Sequence, residues 1–125
     1  MQRAIVGHYI YLLGIGAVVV ARFVPGVAQA RPAPEHEAGI IAAFLGVLSL
    51  AEYAVSLWLE KTLLTKGPPG QAAAPIVIAY FGVSIAIYGF VAWFLGAPSG
   101  WFWGFVGLAL LHWFHSALRW SSLPS

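Results

Sequence analysis

The chain of 125 residues contains no cysteine, no aspartate and no asparagine, and only 8% of its residues are charged. The lack of cysteine excludes disulfides, thiolate metal sites and cysteine nucleophiles. The low charge excludes a soluble domain, in which about 25% of residues are charged, and six Lys and Arg are too few for a nucleic-acid-binding surface. The lack of asparagine and the single Met are typical of a thermophilic source.

Apolar residues make up 61% of the chain and are concentrated in four long stretches. An α-helix needs about 20 residues to cross the apolar core of a bilayer. The stretches that meet this length are 4–24, 38–59, 74–95 and 101–120. We therefore expect an all-α integral membrane protein in which residues 1–125 form one membrane domain.

The segments between these stretches contain helix-breaking residues. The first is a polar loop with Pro32 and Pro34, the second is expected to run from 60 to 73, and the third, 96–100, suits a tight hairpin. Short connections place consecutive helices side by side in opposite directions, so we predict an antiparallel up-down bundle of four transmembrane helices. A cleavable signal peptide is the alternative for the first stretch, but Arg22 interrupts that pattern, and we interpret the stretch as a span.

Lys and Arg are unequally divided between the two sides of this bundle. The side that holds both termini has four of them and the opposite side has two. Because positively charged segments stay in the cytoplasm, both termini are predicted to be cytoplasmic, in the cell inner (plasma) membrane.

Each predicted helix carries polar residues spaced three or four apart. These are His8 and Tyr11; Ser49, Glu52 and Ser56; Tyr80, Ser84 and Tyr88; and His112, His115 and Arg119. A polar side chain in lipid is costly unless it faces protein, so we expect all four stripes to face the bundle interior. By depth, Glu52 and the histidines would share one layer with Tyr9, Tyr11, Tyr53 and Tyr80. Gly7 and Gly14 would let the first helix approach its neighbours closely.

Redox chemistry is one interpretation of that layer. His8 with His112 or His115 could ligate a b-type haem, which needs an imidazole on each side of the macrocycle. The sequence HWFHSALR at 112–119 resembles the His-and-Arg helix of respiratory membrane-anchor cytochromes, which implies the same cofactor. A metal site formed by His8, Glu52, His112 and His115 is a second possibility, since imidazole and carboxylate suit zinc, copper or iron.

Glu52 has two further interpretations. It could handle protons or ions; the sequence SIAIYGF at 84–90 is similar to the last helix of rotary-ATPase proteolipids, although Ser84 stands where that family has its carboxylate. Small multidrug transporters also combine four spans with one membrane glutamate, but in the first helix rather than the second. Alternatively, Glu52 pairs with His8, His112 or Arg119 and simply holds the helices together.

The sequence contains no catalytic serine motif, no glycine-rich phosphate loop and no zinc-protease motif, so an enzyme is not expected from this chain alone. We therefore predict an accessory subunit of a larger membrane complex, in respiratory or photosynthetic electron transport, whose partners are lipid and other membrane subunits. Small residues would form its contact surfaces. They are Gly39, Ala42, Ala43 and Gly46, and Gly104 and Gly107. A bundle that binds haem, metal or quinone is the alternative, and a small proton-coupled transporter is the third. The cluster Glu35-His36-Glu37 is expected to mark a helix N-terminus. The alternative is metal capture or the docking of a partner on the outer face.

Overall fold

A computed structural model describes residues 2–24 and 35–121. Within these residues the chain forms four α-helices and no strand: α1 (Gln2–Phe23), α2 (Glu35–Leu64), α3 (Pro68–Phe94) and α4 (Ser99–Trp120). The all-α prediction is confirmed, and each predicted stretch lies on one helix. The predicted polar loop with Pro32 and Pro34 lies outside the described residues, as do the side chains of Glu35 and His36.

The connection between α2 and α3 is much shorter than the predicted loop at 60–73. α2 continues to Leu64, and α3 begins at Pro68, with prolines in its first two positions. The first N–H groups of a helix have no intrahelical partner, so proline costs little there. Gly67 precedes them with φ of 79°, a conformation that glycine adopts without strain. The sequence Gly-Pro-Pro-Gly therefore starts a helix here, and the loop prediction is wrong.

The turn between α3 and α4 is the tight hairpin that the sequence predicts. The N–H of Gly96 donates to the carbonyl of Trp93 at 2.9 Å, and the N–H of Ala97 donates to that of Ala92 at 3.0 Å. Gly96 has φ of 108°. These two bonds and the glycine conformation form a Schellman motif, which ends α3 and returns the chain at once into α4.

α3 is the central helix of the bundle. It packs against α1, α2 and α4, whereas α1 and α2 make no contact with each other in the described part of the chain. Most buried residues of α3 are glycine or alanine. They are Gly70, Ala74, Ala79, Gly82, Ala86, Gly89 and Ala92. Small side chains let neighbouring backbones approach on several sides, which explains why three helices can share this one.

The contacts also give the relative directions of the helices. Along α1, Gly7 lies against Pro75 and Gly14 against Val83, so α1 and α3 run in the same direction. A Cβ atom added to Gly7 would lie 2.7 Å from the ring of Trp120, and one added to Gly14 would lie 2.5 Å from Val83. The prediction that these two glycines allow close approach is therefore confirmed. α4 runs in the opposite direction, since Gly89 meets Phe105.

Three of the described helices are long and apolar enough to cross a membrane. Their spans are Ala4–Phe23, Glu37–Leu64 and Pro68–Phe94. α4 is as long as α1 and carries His112, His115 and Arg119 in its second half, and it is not among these three spans. The structure thus supports a membrane protein with at least three candidate spans.

Candidate functional site

Polar side chains of three helices meet at the end of the bundle where α1 begins and α4 finishes. We call this group the polar layer. Its members are Tyr11 of α1; Tyr53, Ser56 and Glu60 of α2; and His112, His115, Ser116 and Arg119 of α4. They are joined by hydrogen bonds between helices that lie far apart in sequence. The layer therefore links α1 and α2, which do not touch directly.

His112 lies at the centre of the polar layer and is only 1% exposed. Its Nδ1 atom is hydrogen-bonded to the hydroxyl group of Tyr11, and its Nε2 atom lies 2.8 Å from the hydroxyl oxygen of Ser56. Gly82 of α3 lies beneath this meeting point, because a Cβ atom there would lie 3.0 Å from Nδ1. The ring of Tyr53 packs edge-on against the imidazole, 4.6 Å between centroids. Both ring nitrogens are thus engaged inside the protein.

The hydrogen bonds define the protonation of the His112 ring. Ser56 donates its hydroxyl proton to the backbone carbonyl of Tyr53 at 2.7 Å, so its oxygen accepts from Nε2–H of His112. Nδ1 is then the acceptor and takes the hydroxyl proton of Tyr11, because it is much closer to that hydroxyl than the carbonyl of Ile78 at 3.4 Å. The Tyr11 oxygen accepts from Ser116, 3.3 Å away, whose own oxygen accepts from Arg119 at 3.1 Å. The chain of donors runs in one direction, with a neutral imidazole protonated on Nε2.

Glu60 lies on the side of the polar layer nearest the C-terminal ends of α2 and α4, and it is only 4% exposed. Its Oε1 atom accepts from Nε of Arg119 at 2.5 Å, and its Oε2 atom accepts from Nη2 of Arg119 and Nε1 of Trp120, each at 3.1 Å. A bidentate guanidinium–carboxylate pair of this kind is strong and directional. Glu60 was not predicted as a site residue because the sequence placed it in a loop. It nevertheless continues the polar stripe of Ser49, Glu52 and Ser56 on α2, four residues after Ser56.

His8 and His115 lie near the polar layer but contact different neighbours. His8 accepts a hydrogen bond at Nδ1 from Nε1–H of Trp113, at 2.8 Å, on the α1 side of α4. The Nδ1 atom of His115 lies 3.1 Å from the hydroxyl of Tyr53, on the α2 side. His112 uses both ring nitrogens within the bundle. Since His8 and His115 bond on opposite sides of α4, no two of the three imidazoles face each other across a space for a flat macrocycle. The described residues do not suit the haem ligation that the sequence suggested.

Glu52 lies outside the polar layer and pairs with α3. Its Oε1 atom accepts the hydroxyl proton of Tyr88 at 2.6 Å, while its Oε2 atom and the Ser49 hydroxyl are buried with no hydrogen-bond partner among the described residues. The expected partners His8, His112 and Arg119 all bond to other residues. Within the described chain no group of three or more His, Cys, Asp or Glu could hold a metal, so the four proposed metal ligands are not brought together.

Two tyrosines expected in the buried layer point outward. Tyr9 is 59% exposed and Tyr80 is 63% exposed. The stripe Tyr80, Ser84 and Tyr88 was predicted to face the interior, but Ser84 and Tyr88 are only half-buried, and most of the buried positions of α3 hold glycine or alanine. The interior face of α3 is therefore defined by its small residues and not by its polar ones.

No family model, curated protein or solved structure matches this chain. The chemistry of the polar layer is consequently the basis for a functional argument. Its buried groups bond to one another across helices, an arrangement that holds helices together in a membrane.

Proposed function

We propose that this protein is a small accessory subunit of a larger membrane complex, with four transmembrane helices and both termini in the cytoplasm. The polar layer supports this proposal because its hydrogen bonds are made within the chain, as expected for a group that fixes the arrangement of helices. The outer surface of the bundle is then the part available to partners. The membrane is the cell inner (plasma) membrane.

The observation that carries the proposal is a contrast between two groups of glycines. Five glycines of the bundle lie in close contact with a neighbouring helix. They are Gly7, Gly14, Gly70, Gly82 and Gly89. On α4, by contrast, Gly100, Gly104 and Gly107 are exposed, and an added Cβ atom would meet nothing within 4 Å. Their spacing of four and three residues places them on one face. In a membrane such a face of small residues suits close packing by another apolar helix.

Cross-linking at this face tests the accessory function. The chain contains no cysteine, so single cysteines can be introduced without background. We expect Gly107→Cys to cross-link to another subunit in the source membrane, and the product to migrate with larger subunits on a native gel after mild extraction. Gly16→Cys on α1, where an added Cβ also meets nothing within 4 Å, is the control and should not reach the same partner. A chain that migrates alone and forms no cross-link contradicts the proposal.

Mass spectrometry of the same gel band decides which complex is involved. Respiratory or photosynthetic subunits in the band support the electron-transport assignment that we made from the sequence. If the band contains subunits of an unrelated complex, the accessory function stands but the electron-transport assignment is wrong.

The orientation has separate support from the distribution of charge. Lys61 and Lys66 are exposed at the same end of the bundle as Arg119, whereas Arg22 lies at the opposite end, bonded to Ser99 at 2.8 Å. The lysine-rich end is expected in the cytoplasm. An impermeant maleimide added to intact cells should label Gly100→Cys and should label Lys66→Cys only after permeabilisation. The reverse labelling pattern would show that the lysine-rich end lies outside the cell, contrary to the proposed orientation.

Quinone binding is the second candidate, and it depends on His8. Because Nδ1 of His8 accepts from Trp113, Nε2 carries the proton and can donate to a carbonyl oxygen. Two apolar grooves of about 320 and 150 Å³ adjoin His8 and Trp113. If quinone co-purifies with the protein and His8→Leu removes it, this function replaces the accessory one. A preparation without quinone rejects it.

A further inference from the structure

α2 and α4 meet along a seam that has an opening on each side of the hydrogen bonds from Tyr53 and Ser56 to α4. Both helices pack against α3 and touch each other at few places. At the end that holds the polar layer, the seam widens into a cleft of about 700 Å³. Its lining includes Leu57, Glu60, Lys61, Leu64, His115 and Arg119. We call this the basic cleft.

The basic cleft favours an anion. Its lining contains one carboxylate, Glu60, and two cations, Lys61 and Arg119, so its formal charge is +1. Glu60 accepts three hydrogen bonds from Arg119 and Trp120, which turns both of its oxygens away from other ligands. Lys61 is exposed at the rim. Basic pockets between transmembrane helices at the cytoplasmic side suit phosphate headgroups of anionic lipids.

The remaining walls of the basic cleft are apolar. Leu57 and Leu64 are half-buried there, and Trp58, which also lines the cleft, is 65% exposed. Amphipathic indole rings favour the level of the lipid headgroups. A free phosphate ion would contact only the cations, whereas a lipid would also cover these apolar side chains.

A second groove continues the same seam toward the other end of the bundle. It has a volume of about 520 Å³ and lies between Gly46 and Leu50 of α2 and Phe105 and Leu108 of α4. The hydrogen bond between Tyr53 and His115 crosses the seam between the two openings. The seam therefore has positive charge at one end and an apolar groove beyond it. A phospholipid has the same order, with its phosphate at one end followed by an acyl chain.

We propose that the seam between α2 and α4 binds one anionic phospholipid, with its phosphate at Lys61 and Arg119 and an acyl chain between Gly46 and Phe105. Gly100 and Gly104 of the exposed glycine face also line the apolar groove, so the lipid would lie beside a partner helix that packs on Gly107. It is a property of the isolated chain and does not depend on the accessory function.

Native mass spectrometry of the chain in non-ionic detergent tests the headgroup. Phosphatidylglycerol should form a one-to-one adduct more tightly than phosphatidylcholine, and inorganic phosphate alone should form none. Lys61→Gln should weaken the phosphatidylglycerol adduct about fivefold, as expected for one cation at the headgroup level. Lys66→Gln, which removes an equally exposed charge outside the cleft, should leave it unchanged.

Three results would overturn the headgroup assignment. They are equal binding of the two lipids, equal effects of the two lysine variants, and phosphate binding as tight as lipid binding, which would indicate a site for the free ion. Because Lys61 and Lys66 are both exposed, each lysine variant can be checked for unchanged helix content by circular dichroism.

A second pair of variants tests the acyl chain. Gly46→Leu places a side chain in the apolar groove, because a Cβ atom there lies 3.9 Å from the ring of Phe105, and it should weaken both lipids. Gly39→Leu on the same helix, where an added Cβ meets nothing within 4 Å, is the matched control. If Gly46→Leu leaves the phosphatidylglycerol adduct intact, the acyl chain does not lie in the seam and the proposal is wrong.

Discussion

The hydroxyl group of Tyr11 and the Nδ1 atom of His112 meet directly over Gly82, so one glycine of the central helix makes room for the hydrogen bond between its two neighbours. A methyl group at this position would lie 2.9 Å from Cζ of Tyr11 and 3.0 Å from Nδ1. Gly82→Ala should therefore lower the free energy of unfolding by about 1–3 kcal/mol, as overpacking does. Unfolding in mixed detergent micelles measures this. Gly16→Ala, with open space around it, should be neutral or slightly stabilising; an equal loss in both variants would contradict the prediction.

Removal of the Tyr11 hydroxyl tests the hydrogen-bonded chain itself. Tyr11→Phe keeps the ring but leaves Nδ1 of His112 and the Ser116 hydroxyl without their partner. We expect a loss of about 1–2 kcal/mol in unfolding free energy, high for a polar contact between membrane helices because the hydroxyl serves two partners. Tyr9→Phe removes an exposed hydroxyl on the same helix and should change the stability by less than about 0.5 kcal/mol.

The tautomer of His112 can be observed directly. Because Ser56 donates to a carbonyl, Nε2 of His112 must carry the proton and Nδ1 must accept. The ¹⁵N chemical shifts of this ring should show a protonated Nε2 and an unprotonated Nδ1. Ser56→Ala should alter the Nε2 signal much more than the Nδ1 signal. A ring protonated at Nδ1 would mean that the donor chain runs the other way.

Glu60 and Arg119 should respond unequally to mutation. Arg119→Leu leaves the carboxylate of Glu60, whose side chain is 5% exposed, with only Trp120 as a donor, and should cost about 3 kcal/mol. Glu60→Leu should cost less, because the Arg119 side chain is 27% exposed and can reach water. The double variant should be more stable than Arg119→Leu alone. Lys66→Leu is the control for the loss of a positive charge. If the double variant loses as much unfolding free energy as the two single variants together, Glu60 and Arg119 do not act as a pair.

Much of the helical architecture was predictable because apolar length is a local property. Each stretch was long enough to cross a membrane, and each became a helix. The predicted helix boundary at Glu60 was wrong for a physical reason. A charged residue at the end of an apolar stretch normally marks the membrane–water interface, unless an oppositely charged side chain pairs with it. That partner, Arg119, is 59 residues away and could not be assigned from spacing alone.

Candidate site residues were predictable only as positions on helix faces. The sequence places His112 and Tyr11 on helix faces, but the rotation of each helix decides which groups meet. The small residues of α3 set that rotation, since Gly82 receives Tyr11 and His112 together. Tyr80 shows the same effect in reverse, because the packing of small residues turns its ring outward. Polar spacing alone does not contain this information.

The central position of α3 has a consequence for biogenesis. α1 and α2 emerge from the ribosome first, yet they have no interface with each other in the described structure, because each packs on α3. A nascent chain that ends after α2 therefore lacks every helix–helix interface of α1 and α2, and the carboxylate of Glu60 lacks its partner Arg119. The interfaces of α1 and α2 can form only once α3 has been made, and the ion pair of the polar layer only once α4 has been made.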